Sequence, residues 1–352
     1  MKIKNVKQLS EELNLNTSNV RIKMSEGKLP FLKAGRAFIS TEKGVEYYKF
    51  IEEHSKTLES LKRSAKVISF VNHKGGCSKT TSVYTIASLL EKQGNKVLLV
   101  DLDPQGNSTQ TVLEPHVNDE GITLPFPETI KNILIERKAN GFISKERIKQ
   151  TVRKSNFGFD CIPCDISLNS IIVELQNSSF KEILLKEILN EVADEYDYIL
   201  LDTPPTLGFS VISALTASDY ICIVSLAEAF SVMGVEQTLD LVNQIKSQTS
   251  VLANPRALEV LGIIVSKVEM NTNISRHFVG ELEAFGEDTG INIYSDCLIP
   301  KTTKIPESQA TRELITDVDP KSESSLSYFD IAMDIDMNVK KDRILEKLKG
   351  GL

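Results

Sequence analysis

The sequence predicts an α/β protein: a doubly wound, mostly parallel sheet preceded by a small winged helix-turn-helix domain. Three observations carry this. Apolar, β-branched runs near 66–72, 158–163, 198–202, 219–225 and 258–265 alternate with helical stretches near 179–193, 232–248 and 276–288. A glycine-rich loop stands between the first run and a helix. A basic head precedes both. The 352 residues are long for one domain, and the pattern divides them into a head at 1–53, a linker at 54–66 and a body at 67–352.

In the head, Val6, Leu9 and Leu13 recur at helical spacing. Asn14-Leu15-Asn16 breaks that helix, and Thr17 or Ser18 can cap a second one carrying Val20, Arg21 and Met24. Gly27 ends it. Residues 28–41 read as two short strands around Ala34-Gly35, a wing, and a third helix is expected from Glu42 to about Glu53. Residues 1–66 hold fourteen Lys/Arg against eight Asp/Glu, which leaves −13 on the remainder of a chain of net charge −7. Such asymmetry fits a head that meets nucleic acid, or a chance partition of charge in a lysine-rich chain. If the head reads DNA, Ser18, Asn19, Arg21 and Lys23 face the major groove, and Lys33 and Arg36 touch phosphate. The alternative is a small docking or dimerisation module.

Composition excludes several classes. With 41% hydrophobic and 25% charged residues the chain is not wholly disordered. No apolar run reaches the length of a membrane span, and Met1–Ser10 lacks a signal-peptide core. Five cysteines make no disulfide framework, so a cytosolic protein is expected. Cys161 and Cys164 form one CxxC pair with no further zinc ligands nearby. Residues 113–128, polar and punctuated by proline, are expected to be a surface excursion.

The loop is the most informative segment. It runs His73-Lys74-Gly75-Gly76-Cys77-Ser78-Lys79-Thr80-Thr81, and a helix with Val83, Ile86, Ala87 and Leu90 on its apolar face follows. Strand, glycine loop and helix make a phosphate-binding loop: glycines let backbone N–H groups approach phosphate, Lys79 neutralises it and the Thr80 hydroxyl completes Mg²⁺ coordination. Ser78 stands where glycine ordinarily precedes the lysine, and a second lysine, Lys74, precedes the glycine pair.

That deviant loop resembles the ParA/MinD family of P-loop ATPases. Residues 96–109, with Asp101 and Asp103, are similar to the family's second box. Residues 196–208 resemble its Walker B strand, ending in Asp202 before Thr203-Pro204-Pro205; residues 227–237 and Ile299-Pro300-Lys301 resemble later blocks. The resemblance covers about 65–345 and favours the partition branch. It implies an ATPase using ATP and Mg²⁺. Gly75, Gly76, Cys77, Ser78, Lys79, Thr80, Thr81 and Pro300 would hold the nucleotide, and Thr80 and Asp202 the metal. Asp103 would orient the attacking water, with Asp101 supporting the metal shell. Lys74 would reach the partner's ATP across a homodimer.

The resemblance also implies non-specific DNA binding on the dimer surface, with Lys301 matching a family position and Arg312 and Lys304 near enough to join. A second family arginine is replaced by Asn271; Arg276 and His277 lie one turn on. A DNA-segregation ATPase follows as the expectation. It would be nucleoid-associated, stimulated by a ParB-type centromere-binding partner, and would repress its own operon through the head. Three rivals stand beside it: a nucleotide-gated repressor without a transport role, a MinD-like membrane-cycling ATPase, and a metal-delivery or reductase-type relative, which would need cysteines placed directly after Walker B, where this sequence has none. The terminal stripe Ile344, Leu345 and Leu348 is thin for a membrane helix, so no membrane partner is expected.

Overall fold

The computed structural model describes residues 2–72, 74–175, 181–206, 208–252 and 258–350. His73, Leu207 and the first two residues of the helix expected at 179–193 lie outside these.

The head opens with β1 (Lys4–Asn5) and α1 (Val6–Glu12), capped by a reciprocal Asn5–Gln8 box. Helix α2 (Thr17–Ser25) is capped by Asn16 rather than Thr17 or Ser18: the Asn19 amide donates to the Asn16 side chain at 2.7 Å. The breaker and the cap are thus one residue. Strands β2 (Leu32–Ala34) and β3 (Ala37–Ser40) form an antiparallel hairpin, with β1 pairing antiparallel on the other side of β3. Helix α3 (Glu42–Glu59) covers them. Leu9, Val20, Met24, Leu29, Val45 and Tyr48 make a small core of the head's own.

The body continues with β4 (Lys66–Val71), α4 (Lys79–Lys92), β5 (Val97–Asp101), α5 (Asn107–Val112), α6 (Ile130–Asn140) and α7 (Lys145–Thr151). Next come β6 (Arg153–Lys154), β7 (Asp160–Ile162), α8 (Leu168–Leu175), α9 (Leu184–Val192), β8 (Tyr198–Asp202), α10 (Phe209–Ala217) and β9 (Tyr220–Leu226). The last part holds α11 (Ser231–Leu252), β10 (Glu259–Val268), α12 (Asn273–Thr289), β11 (Ile299–Pro300), α13 (Lys304–Ala310), α14 (Ile315–Val318) and α15 (Glu323–Gly350).

Eight strands form one sheet in the order β11-β10-β9-β4-β8-β5-β7-β6, parallel throughout except for β6 against β7. Strands β4, β5, β8 and β9 are buried along their whole length, as a sheet covered on both faces requires. Their residues alternate. Val97 and Leu99 join the layer of α4 and α15, and Leu98 and Val100 join the layer of α6 to α10.

Helix α3 runs six residues past its expected end and absorbs the first part of the expected linker. The reason is a second buried face. Tyr47 and Phe50 enter the same core as α4 and α15. Polar contacts fix the seam: Thr41 donates to Asp330 at 2.5 Å, Lys43 pairs with Asp334 at 3.2 Å, and the Tyr47 hydroxyl donates to Asp336 at 2.6 Å. Asp336 is fully buried and also accepts from Tyr198 on β8, from Lys340, and from Asn95 just past α4. Burial alone would raise its pKa, but Lys340 and the two tyrosine hydroxyls together hold it below the usual carboxylate value. Gly44 marks the closest approach of α3 to α15, where an added side-chain carbon would press on Ser40 and lie 3.0 Å from the Phe329 ring.

Gly44→Val is expected to cost about 1–3 kcal/mol of stability through this overpacking, read as a shift in denaturant midpoint. Asp330 supplies a pH-dependent test. Burial pushes its pKa from 3.8 up to about 6, against the opposing Thr41 hydrogen bond. Between those values the native state holds a proton that the unfolded chain has released, so this group's contribution falls as pH rises and levels off above about 6. Asp330→Asn is expected to flatten that slope relative to the unsubstituted protein in unfolding titrations from about pH 4 to 7.

Candidate functional site

The site lies at the carboxyl ends of β4, β5, β8 and β10, where open parallel sheets place ligands. Leaving β4, the chain is gripped by Asn72, whose side chain accepts from the Lys74 amide at 2.6 Å and donates to the Val224 carbonyl. Gly76 (φ +76°) and Ser78 (φ +63°) then take left-handed backbone. Glycine does so freely; serine pays conformational strain, and its side chain makes no capping bond in return. Side-chain carbons built onto Gly75 or Gly76 would meet nothing within 4 Å, so there is open space over the loop. The unsatisfied N–H groups of α4's first turn face that space with a partial positive charge.

Four side chains converge beneath it. Lys79 is buried with its Nζ 3.6 Å from Asp202 Oδ1. Thr80 Oγ1 and Ser108 Oγ both donate to Asp202 Oδ2, at 2.8 and 2.7 Å. Asp202 is fully buried, and its Oδ1 has no hydrogen-bond partner among the described residues. An unsatisfied carboxylate oxygen beside hydroxyls is an all-oxygen donor set of the kind that hard Mg²⁺ takes. The residues present therefore fit a Mg²⁺-bound polyphosphate.

The cleft over these groups measures about 790 Å³. It brings together residues 75–81 and Pro300, expected to hold the nucleotide, with Asp103, expected to orient the water, and Lys74, expected to reach a partner's ATP. Asp103 Oδ1 accepts from the Gln105 amide at 3.0 Å, which tightens the turn after β5. Asp101, expected to support the metal shell, sits one step back. It does not line the cleft: its Oδ2 accepts from the Thr109 amide and hydroxyl at 2.9 and 2.7 Å, and its Oδ1 from the Asp103 amide at 3.1 Å. Burial first, and then the charge of Asp202, raise its pKa to about 7. It anchors the Asp103 turn from behind the cleft wall, and its oxygens are already spent.

Lys74 is half-exposed and holds Glu228 at 2.5 Å. Lys301 and Arg312, expected on a DNA surface, both line the nucleotide cleft, and Lys301 is paired with Glu269 at 2.5 Å. Lys304 pairs with Glu307, and His277 with Glu281. On the head, Ser18, Asn19, Arg21, Lys33 and Arg36 are exposed. Lys23 is engaged inside the head, 3.2 Å from Glu52 and over the Tyr48 ring. Both cysteines of the CxxC pair are buried, and burial pushes both thiols up, so neither is a ready thiolate.

Sequence reasoning missed Ser108, Glu228, Lys267 and Gln309. Ser108 had a signal, since it sits in the recognised 96–109 box. Gln309 had none: its side chain donates to Thr81 Oγ1 at 2.8 Å across 228 residues of chain.

The AAA domain family (AAA_31) matches residues 65–255. The sporulation initiation inhibitor protein Soj of Bacillus subtilis is 29% identical over 78% of this chain and 99% of its own length. An AMPPNP-bound putative plasmid partition protein from Borrelia burgdorferi superposes with a TM-score of 0.61 at 24% identity, covering 79% of this chain and 99% of that one. Cobyrinic acid a,c-diamide synthase from Mycobacterium smegmatis, with ADP and magnesium, gives 0.59 at 24%, covering 82% and 97%. At these identities the two structures establish the fold alone.

Ser78→Gly is expected to raise stability by about 1 kcal/mol by relieving the left-handed serine, and to leave nucleotide affinity unchanged. Thermal midpoints with and without Mg²⁺-ATP check both halves.

Proposed function

The chain belongs to the AAA domain family, alongside the ParA and Soj partition ATPases, and from that premise we propose that it is a partition ATPase whose cleft binds and hydrolyses Mg²⁺-ATP. One observation carries the reading: Lys79, Thr80 and Asp202 meet under an open glycine loop, with one oxygen of a buried carboxylate left unsatisfied.

In this reading the loop amides and Lys79 take the terminal phosphates, and Thr80 and Asp202 hold the metal, with Ser108 orienting Asp202. When bound, Mg²⁺ would neutralise charge on the phosphates as the terminal bond breaks. Asp103, held by the Gln105 amide, orients the water. Hydrolysis is slow without stimulation, because no cation beyond the loop's own is committed to the γ-phosphate.

Lys74 supplies that cation from a second copy. Its only partner among the described residues is Glu228, and both side chains are about half-exposed. Surface pairs of this kind are worth about 0–1 kcal/mol. An incoming triphosphate on a facing copy outbids that easily, so ATP occupancy drives homodimerisation. The dimer binds DNA without sequence preference, a ParB-type partner stimulates turnover, and the cycle segregates a replicon. The head, with Arg21, Lys33 and Arg36 outward, binds an operator and represses its own operon.

The test is binding to a long duplex of arbitrary sequence with Mg²⁺-ATP, Mg²⁺-ADP or no nucleotide, beside Lys74→Ala. Binding is expected with ATP alone, lost in the variant and weakened steeply by salt. Equal binding in all three states would assign it to the head instead. No binding in any state would end the segregation reading.

A further inference from the structure

Two cations in the cleft are left unused by the chemistry above. Lys267 and Arg312 both line it, and neither has a carboxylate partner among the described residues. Both occupy left-handed backbone, at φ +54° in each case. Residues with side chains avoid that region, and glycine enters it freely.

The two positions are constrained from their surroundings. Lys267 is the extra residue of a bulge: Ser266 pairs with Ile299 and Val268 with Pro300, two steps on β10 against one on β11. Bulges re-aim a side chain, often beside a site. This one is pinned on both sides. The Ser266 hydroxyl donates to the Cys77 carbonyl in the glycine loop at 2.7 Å, and the Val268 carbonyl accepts from the Lys301 amide at 3.0 Å. Arg312 sits just past α13, where helices commonly place glycine. Its amide donates to the Gln309 carbonyl at 3.1 Å, and Gln309 in turn holds Thr81 on α4. Two positions suited to glycine both carry a cation, and both face one cleft. A shared anionic ligand accounts for both.

We propose that Lys267 and Arg312 form a second cationic clamp, on the nucleoside-monophosphate half of the bound nucleotide, while Lys79 and the loop amides take the terminal phosphates. The proposal rests on the Mg²⁺-ATP reading. The half is assigned from the neighbours. Lys79, Thr80 and Asp202 gather at the polyphosphate end, whereas Ile299, Pro300, Ile305 and Pro306 give the remaining wall an apolar surface suited to a base. Arg312's planar guanidinium suits stacking on a purine, and Lys267, next to the residue pinned to Cys77, suits the α-phosphate. A DNA phosphate is the competing anion, but a concave cleft of about 790 Å³ admits a single nucleotide and not a duplex.

The test uses the full chain without DNA. ATP, ADP and AMP, each with Mg²⁺, compete against a fluorescent ATP analogue on the unsubstituted protein, Lys267→Gly, Arg312→Gly, the double variant and Lys79→Ala. Glycine is chosen because it relieves the backbone, so thermal midpoints should hold or rise and lost binding cannot be ascribed to unfolding. Each glycine variant is expected to weaken all three nucleotides alike by about 10-fold, and the double variant by about 100-fold. Lys79→Ala is expected to weaken ATP and ADP while sparing AMP. Glycine variants within about twofold of the unsubstituted protein for all three nucleotides would overturn the clamp. If the unsubstituted protein binds none of the three, the Mg²⁺-ATP reading itself fails, an outcome distinct from a failed clamp.

Discussion

The buried carboxylate of Asp336 is the point on which head, sheet and loop helix converge. A charge removed from water costs several kcal/mol unless its lone pairs are met. Here they are met by Tyr47 from the head, Tyr198 from β8, Asn95 from just past α4 and Lys340 from α15, the helix that carries Asp336 itself. Each donor comes from a different part of the chain, so each is held where that cost requires it. Strand β8 carries Tyr198 at one end and Asp202 at the other, on the same face. Residues four apart on a strand point alike, and the seam that docks the head therefore also sets the strand that presents the carboxylate proposed to hold the metal. The head is a layer of the ATPase core, joined through α3, with its own small core beyond.

The site works by leaving a few groups incompletely satisfied. Thr80 and Ser108 both donate to one oxygen of Asp202, while the other faces Lys79 at a distance too long for a hydrogen bond. Gly75 and Gly76 keep the space above open, and Ser78 holds a strained backbone so that α4 starts at the right angle. These are local departures from good packing at the ends of central strands that are otherwise fully buried. Their cost is tolerated because the surrounding β4, β5, β8 and β9 fix the positions on every side.

Much of this was legible in the sequence, and the exceptions share a cause. The body strands announced themselves because both faces are buried and β-branched runs result; the loop did so because phosphate binding requires glycines at fixed spacing. The length of α3 was not legible. Its tail, residues 54–59, is polar but for Leu58, and only the packing of Leu58 against the core that already takes Tyr47 and Phe50 gives the helix a reason to continue. Lys301 and Arg312 were read as surface cations because sequence reports charge and not which wall a segment folds onto. Lys267 reaches the cleft through a bulge whose register is set by β11, more than thirty residues on. Periodicity reveals that a face is buried, and only the fold reveals against what.

The charge asymmetry that set the head apart is partly consumed within the molecule. Lys43 is spent on Asp334, Lys66 on Glu346, Arg63 on Asp197, Lys23 on Glu52 and Lys4 on Glu12. Three of these pairs join the basic segment to the acidic body, so part of the surplus serves docking. The cations that remain are more informative than the total. Arg21 on α2, Lys33 on β2 and Arg36 in the β2–β3 turn are exposed and have no carboxylate partner among the described residues. They stand on elements that α3 separates from α15, since Val45 and Tyr48 face the head's core while Tyr47 and Phe50 face the body. Docking thus uses three of the segment's cations, and the exposed cations left without a carboxylate partner among the described residues are spread wider than those three, with Lys7 on α1 and Lys49 and Lys56 on α3 beside them.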